Sequence, residues 1–226
     1  MKQKEEDCGC ADKKPKGAKT IIVCAPGNQF SNNFLKSWSD LMAHLFVNKY
    51  YFTLSTSYNS LTQRSRMHVM GLDNEDNMPF GGAEFDYMLL IDSDMVFIPE
   101  HFDKLIEHDV PVVSGLYRIN PQDEMSMYRG DGWLKLDEQK KLAEKGELIE
   151  GEYGGLGWTL IKRCVFEKLK GPLFYSEDPK ENYTDLITGK HSGEDTVFFR
   201  KIQRAGFKTY WDPTVQLGHE KSFIFI

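Results

Sequence analysis

No apolar run in this 226-residue chain approaches the roughly 20 residues needed to span a bilayer. The N-terminus opens on charged residues where a secretory signal would carry an apolar stretch. Both absences lead to the expectation of a cytoplasmic protein without a transmembrane segment. Basic charge is also short: 28 Lys and Arg stand against 34 Asp and Glu, for a net charge of −6. Such a surface offers no broad positive face to a phosphate backbone, so nucleic acid is not the expected partner. Only four cysteines occur, Cys8, Cys10, Cys24 and Cys164. Cys24 sits in a strand-like run and Cys164 in a helical pattern, and both read as buried reduced thiols. Cys8-Gly9-Cys10 supplies two thiolates where a structural zinc site takes four ligands. No Walker A, H-E-x-x-H or G-x-S-x-G sequence is present, and Gly154 to Gly157 lacks the order of a dinucleotide fingerprint.

What the chain does carry is an apolar run, Tyr87-Met88-Leu89-Leu90-Ile91, that ends abruptly in Asp92-Ser93-Asp94. A continuous apolar run of this length is the pattern of a parallel strand covered on both faces. Ligands of open α/β sheets bind just beyond the carboxyl ends of such strands. Two carboxylates there match the donor number that Mg²⁺ or Mn²⁺ takes from protein when phosphates and water complete the shell. The competing reading is a solvated loop or a helix cap. Pro99 argues against the cap, because proline favours the first helical position and the next helix then starts too far on for Asp94 to cap it.

Around that strand the chain alternates. Residues 1–18 are almost devoid of apolar side chains and are expected to be a disordered tail. Strands are predicted over 20–24, 50–55, 87–91 and 110–115, with helices over 34–46, 61–70 and from Pro99. The spacing implies βαβ units and a mostly parallel sheet flanked by helices. A polar loop is expected over 73–82. Later come a loop over 120–131, strands at 133–136 and 148–153 around a charged excursion, a glycine-rich turn at 154–158, a helix over 162–170, and a polar loop to His191. A strong helix carrying Val197, Phe198 and Ile202 follows, capped by Gly206.

Three further features bear on chemistry. Asp195 stands at a helix start, where it is either the distal member of a Ser192-x-x-Asp195 capping box or a carboxylate base. His219 follows a strand and a glycine, and is either a hydrogen-bonded structural residue or a ligand completing a site begun by Asp94. The glycines before Trp158 form a turn, or let backbone approach a sugar with Trp158 as its aromatic wall, the other reading of Trp158 being a buried core residue.

Taken in order, these pieces resemble the GT-A fold glycosyltransferases, particularly the family 2-like group. Leu89-Leu90-Ile91-Asp92-Ser93-Asp94-Met95 is similar to their D-x-D motif, and Gly155-Leu156-Gly157-Trp158-Thr159-Leu160-Ile161 to the glycine-rich acceptor-side segment. Gly193-Glu194-Asp195-Thr196-Val197-Phe198-Phe199 is similar to the x-E-D motif, and Gly206 to Pro213 with Gly218-His219 to the closing strand and metal-ligand histidine. The likeness runs from Thr20 to His219. It implies a single α/β domain of GT-A fold over 19–226 that moves a sugar from a nucleotide-diphosphate donor to a hydroxyl acceptor with inversion, using Mn²⁺ or Mg²⁺. It also implies a donor nucleotide over Ala25 and Pro26, with Arg66 contacting it and Ser93, Gly155 and Trp158 lining the sugar and phosphates. Asp92 would bind ribose or a metal-bound water, Asp94 and His219 the metal, and Lys221 the diphosphate. Asp195 would be the general base, with Glu194 holding acceptor or helix geometry. Arg66-Met67-His68 departs from the family's Arg-Asn pair, which leaves the base open. Residues 120–150 match nothing in it, which leaves the acceptor open.

Two other functions fit parts of the pattern. Asp92-Ser93-Asp94-Met95-Val96 also satisfies the D-x-D-x-[TV] motif of haloacid-dehalogenase-like phosphatases. That motif, however, ends the first strand of its domain, and here two strand-helix units precede it. A non-catalytic nucleotide-sugar or carbohydrate binding module would have no chemical need to keep Asp195 alongside Asp94 and His219.

Overall fold

The structure, a computed structural model, describes residues 18–72, 78–175 and 193–221. Residues 1–17, which include Cys8 and Cys10 and nearly all of the tail expected to be disordered, residues 73–77 of the polar loop expected over 73–82, residues 176–192 with His191 and Ser192, and the last five residues lie outside the described residues. Along the chain run β1 (Thr20–Pro26), α1 (Asn32–Val47), β2 (Tyr51–Ser57), α2 (Thr62–Val69), β3 (Tyr87–Ile91), β4 (Met95–Val96), α3 (Pro99–Glu107) and β5 (Val112–Leu116). Then come β6 (Glu124–Tyr128), β7 (Trp133–Lys135), α4 (Leu136–Ala143), β8 (Ile149–Glu150), β9 (Tyr153–Gly154), β10 (Trp158–Lys162), α5 (Arg163–Phe166), α6 (Glu194–Arg204), β11 (Tyr210–Gln216) and β12 (Gly218–His219).

The central sheet has seven strands in the order β2-β1-β3-β10-β5-β11-β8. β1 is parallel to β2 and β3, and β11 to β5, while β10 runs antiparallel between β3 and β5 and β8 antiparallel to β11. Strand direction is therefore shared by all but β10 and β8, as the alternating first half of the chain predicts. β1 and β3 show why a continuous apolar run was needed. Ile21, Val23, Ala25, Leu89 and Ile91 pack toward Phe34, Leu41 and Leu45 of α1 and Phe102, Leu105 and Ile106 of α3. The alternate residues Ile22, Cys24, Met88 and Leu90 pack on the opposite face with Val69, Phe166, Phe198, Phe199 and Ile202. Both faces are covered, and each β3 side chain is buried. Pro99 is the first residue of α3, as its fixed φ favours.

The second half corrects several expectations. Residues 158–162 form β10, a buried strand in the middle of the sheet, so the glycine-rich stretch is its lead-in, and the helix expected over 162–170 shrinks to the single turn α5. That turn directs Val165 and Phe166 inward and leaves Cys164 exposed, not buried as read from the helical pattern. Cys24 is buried, as expected, with its thiol donating to the Val69 carbonyl at 3.3 Å. The stretch read as a loop over 120–131 contains β6, which pairs antiparallel with β7 and β9 in a small sheet of its own. Met125, Ser126 and Met127 are buried there. The charged excursion is α4, which buries Gln139 and sends its amide to the Pro213 carbonyl.

The small sheet closes on the large one at Gly154. A Cβ at this position would overlap the carbonyl oxygen of Ser126, and would lie 2.8 Å from the buried Trp211 ring. Neither backbone nor a packed indole yields cheaply. Gly154→Ala is expected to destabilise the protein by about 1–3 kcal/mol, the usual range for overpacking. That corresponds to about 2–4 °C in Tm for each kcal/mol in a chain of this size. Thermal unfolding of the variant checks it, and an unchanged Tm would show that β6 and β9 are not held at this distance.

Candidate functional site

The turn after β3 is fixed by backbone before its side chains act. Asp92 N–H donates to the Gly157 carbonyl at 3.0 Å, Met95 N–H to the Asp92 carbonyl at 3.1 Å, and Glu220 N–H to the Asp94 carbonyl at 2.8 Å. β12 pairs with β4, setting His219 opposite Met95. Two stretches more than a hundred residues apart thereby meet at the end of β3, and the two aspartates are turned to different partners.

Asp92 faces Arg66 on α2. The guanidinium, 4% exposed, donates Nη1–H to Asp92 Oδ1 at 2.8 Å and Nη2–H to Oδ2 at 3.2 Å. It also meets two acids from the start of α6: Asp195 Oδ1 lies 3.1 Å from Nη2, and Glu194 Oε1 lies 3.6 Å from Nε. Arg66, expected to contact the donor, is the buried hub of three carboxylates and also lines the cleft beside the aspartate turn. Burial would lower its proton affinity, but Asp195, Asp92 and Glu194 outweigh burial and raise it, so it stays charged.

The expected Ser192-x-x-Asp195 capping box falls partly outside the described residues. The N-cap of α6 is Gly193, with no side-chain hydrogen bond, and Ser192 lies outside the described residues. The Asp195 carboxylate instead accepts the Leu156 N–H through Oδ2 at 3.2 Å, while Oδ1 is covered and makes no hydrogen bond of its own. Burial pushes this carboxyl up, Arg66 pulls it down, and the like charges of Glu194 and Asp92 push it up again, leaving it at about 7.

Asp94 is poised the other way. Its Oδ2 lies 3.1 Å from His219 Nε2 and 2.9 Å from the Lys221 ammonium. Burial would raise this carboxyl, but the hydrogen bonds from His219 and Lys221 bring it down to about 2. His219 Nδ1 lies 2.6 Å from the Arg118 carbonyl. A carbonyl only accepts, so Nδ1 carries a proton. Nε2 then meets Asp94 either as a second N–H or through a cation between the two.

Among the described residues no three His, Cys, Asp or Glu side chains converge as a ready metal cage. The pair Asp94 and His219 nevertheless fits a divalent ion that takes most of its shell from phosphate and water. Two ligands at right angles on an ion with bonds of about 2.1 Å stand about 3 Å apart, which matches the 3.1 Å between Oδ2 and Nε2. A carbonyl partner on the other imidazole nitrogen is the usual way a ligating histidine is oriented. Asp92, expected to share the metal, has both oxygens on Arg66.

Two clefts flank this edge. One, of about 300 Å³, is lined by Pro26, Gly27, Asn28, Tyr58, Asn59, Arg66, Asp92, Ser93 and Asp94, so the loop after β1 does face the aspartate turn. Gly27 is required for that approach, since a Cβ there would lie 2.6 Å from Ser93 Cβ. Ala25 is fully buried below the cleft. The other, of about 620 Å³, is lined by Arg118, Asn120, Gln216, Leu217, His219 and Lys221. Trp158 is not a wall of either: it is fully buried, with its ring 4.5 Å from that of Phe97. Gly155 lies against the hydroxyl of Tyr117, which accepts the Gly157 N–H at 3.2 Å. Tyr117, absent from the residues picked out by sequence, links the two acid clusters, for its ring also packs 4.9 Å from the His219 ring.

No protein-family model matches the chain, and no curated protein matches it. Solved structures do. The chain is similar to A197 from STIV at 19% identity and a TM-score of 0.52, covering 92% of this chain and 97% of that one. It is similar to GalNAc-T7, solved with UDP, GalNAc and Mn²⁺, at 15% identity and a TM-score of 0.50, covering 91% of this chain and 43% of that one. The chain thus spans less than half of the second protein's length. Likenesses at these identities establish architecture, and the architecture is the GT-A fold, with a mostly parallel central sheet flanked by helices. No helix among the described residues is long and apolar enough to cross a membrane.

Arg66→Met tests the hub. It leaves three acids beside a buried apolar side chain, so the already raised proton affinity of Asp195 rises further. A carboxyl whose folded value lies above its unfolded value loses stability as pH climbs between the two. The variant is therefore expected to lose about 3–5 kcal/mol at pH 8, and less at pH 5, where protonation of Asp195 relieves the cluster. Urea unfolding at both values measures the gap. A gap that does not change with pH would mean that Arg66 acts by packing alone.

Proposed function

We propose that the protein is a metal-dependent glycosyltransferase that moves a sugar from a nucleotide-diphosphate donor to a hydroxyl acceptor by a single inverting displacement. One observation carries this reading: two acids at one sheet edge are poised in opposite senses, Asp94 low beside His219 and Asp195 high beside Arg66. Environments that drive two titratable groups apart divide the labour of a reaction between them. Asp94 stays ionised to capture a cation, and Asp195 accepts a proton near neutral pH.

The donor would lie across the cleft between the loop after β1 and the aspartate turn, its base toward Asn28, Tyr58 and Asn59 and its diphosphate toward Asp94. Asp94 and His219 are the residues that would hold a divalent ion, with Lys221 beside them. When bound, that ion supplies the positive charge that meets the leaving diphosphate. Asp92 fixes Arg66, and Arg66 with the Leu156 N–H holds the Asp195 carboxylate. Asp195 then takes the proton of the acceptor hydroxyl as its oxygen bonds to the anomeric carbon. The bond to the diphosphate oxygen breaks, and the leaving group departs with the electron pair. GalNAc-T7, similar in fold and solved with UDP and Mn²⁺, makes those two the first probes. The phosphatase alternative needs a free Asp92 oxygen as nucleophile, whereas both are held by Arg66.

Three outcomes test the division. Asp94→Asn is expected to weaken UDP binding in the presence of Mn²⁺ at least tenfold, about 1.4 kcal/mol, by calorimetry. Equal affinities for variant and wild type would remove Asp94 from capture. Asp195→Asn is expected to keep UDP affinity while turnover falls by about 10²-fold to 10⁴-fold. Wild-type turnover should climb with pH through about 7 as Asp195 loses its proton. Full turnover in the variant, or a product with the donor's anomeric configuration, would overturn the role of Asp195 as base.

A further inference from the structure

Asp94 Oδ2 bears two nitrogens, His219 Nε2 at 3.1 Å and Lys221 Nζ at 2.9 Å. The imidazole is tied down by the Arg118 carbonyl, and the paired β12 and β4 hold its backbone. The lysine side chain is half exposed, and among the described residues its salt-bridge partner is Asp94. It also lines the 620 Å³ cleft beside Arg118 and His219. A half-exposed, monovalent cation belonging to the chain itself thus sits on the carboxylate oxygen proposed to take the metal.

We propose that Lys221 is an internal counter-ion that occupies the metal's place on Asp94, and that a divalent ion must displace it before the donor binds. An ammonium and a divalent ion on one carboxylate oxygen repel one another at close range. The weaker, flexibly held charge leaves. Once released, Lys221 stands at the rim of both the metal position and the larger cleft, and its next counter-ion is the donor diphosphate. One lysine would then neutralise the Asp94 carboxylate in the free protein, oppose the metal as it enters, and reward the metal-bound state when the nucleotide arrives. The order of binding, metal first and nucleotide second, follows from that exchange. The inference rests on Asp94 and His219 being the metal ligands.

The exchange has a signature that a structural role lacks, because removing the ammonium should move two affinities in opposite directions. Lys221→Met is expected to bind Mn²⁺ alone about tenfold more tightly than wild type, read from the EPR signal of free aqueous Mn²⁺ and by calorimetry without nucleotide. At saturating Mn²⁺ the same variant is expected to bind UDP at least threefold more weakly. Lys221→Arg, which keeps the charge, should retain wild-type Mn²⁺ affinity. Unchanged or weaker Mn²⁺ binding by Lys221→Met, with Asp94→Asn still abolishing it, would overturn the exchange and leave the metal site standing. Mn²⁺ binding that does not depend on Asp94, or no Mn²⁺ binding at all, would overturn both. Unchanged UDP affinity would overturn the transfer of Lys221 to the diphosphate.

Discussion

A guanidinium buried among three carboxylates organises the functional edge of this protein. Arg66 comes from α2, Asp92 from the turn after β3, and Glu194 and Asp195 from the start of α6. Taking such charges out of water is costly, and mutual attraction repays the cost only where geometry is good and the remaining polar atoms are satisfied. Here the geometry is good toward Asp92 and incomplete elsewhere, since Arg66 Nε and Asp195 Oδ1 are buried without hydrogen-bond partners. One cation also cannot neutralise three anions. Burial and then the excess negative charge fall on Asp195, and an acid left in that condition holds its proton to unusually high pH. A purely structural network would gain from replacing one of the acids with an amide, so the arrangement is better explained by chemistry than by stability.

Asp92 and Asp94 are only two residues apart, yet their environments are opposite. A strand-end turn pinned by backbone bonds to Gly157 and Glu220 aims one carboxylate at Arg66 and the other at His219 and Lys221. Tyr117 and Arg118, consecutive at the end of β5, couple the halves. The Tyr117 hydroxyl holds the 155–157 backbone that hydrogen-bonds Asp195, and the Arg118 carbonyl orients the His219 ring. A disturbance at either residue should therefore be felt on both sides of the edge.

Much of this was legible in the residues themselves. β1, α1, β2, α2, β3, α3 and β5 follow from periodicity, and the burial of both faces of β3 follows from its unbroken apolar run. The aspartate turn at the end of that strand was legible for the same reason. β10 was not, because an antiparallel strand inserted between β3 and β5 is specified by pairing with distant neighbours, and its glycine-rich lead-in reads as a turn. β6 was hidden by the turn residues around it, although Met125 and Met127 alternate with polar neighbours. Trp158 could be a wall or a core residue on sequence, and the central position of β10 makes it core. Arg66 carried a signal that was not used: it shares the inward face of α2 with Ser65 and Val69, so a buried charge, and hence acidic partners, followed from helical spacing. Tyr117 carried no signal beyond ending an apolar strand.

The most direct test of this division of labour is a crystal structure of the protein with Mn²⁺ and UDP, with the ion located by anomalous scattering. The account predicts the ion between Asp94 Oδ2 and His219 Nε2, the uridine in the cleft beside Asn28 and Tyr58, Lys221 withdrawn from Asp94, and Asp195 still on Arg66 and free of the metal. An ion more than about 5 Å from His219, where ligation at bonds near 2 Å is impossible, would contradict it. So would UDP bound away from the aspartate turn.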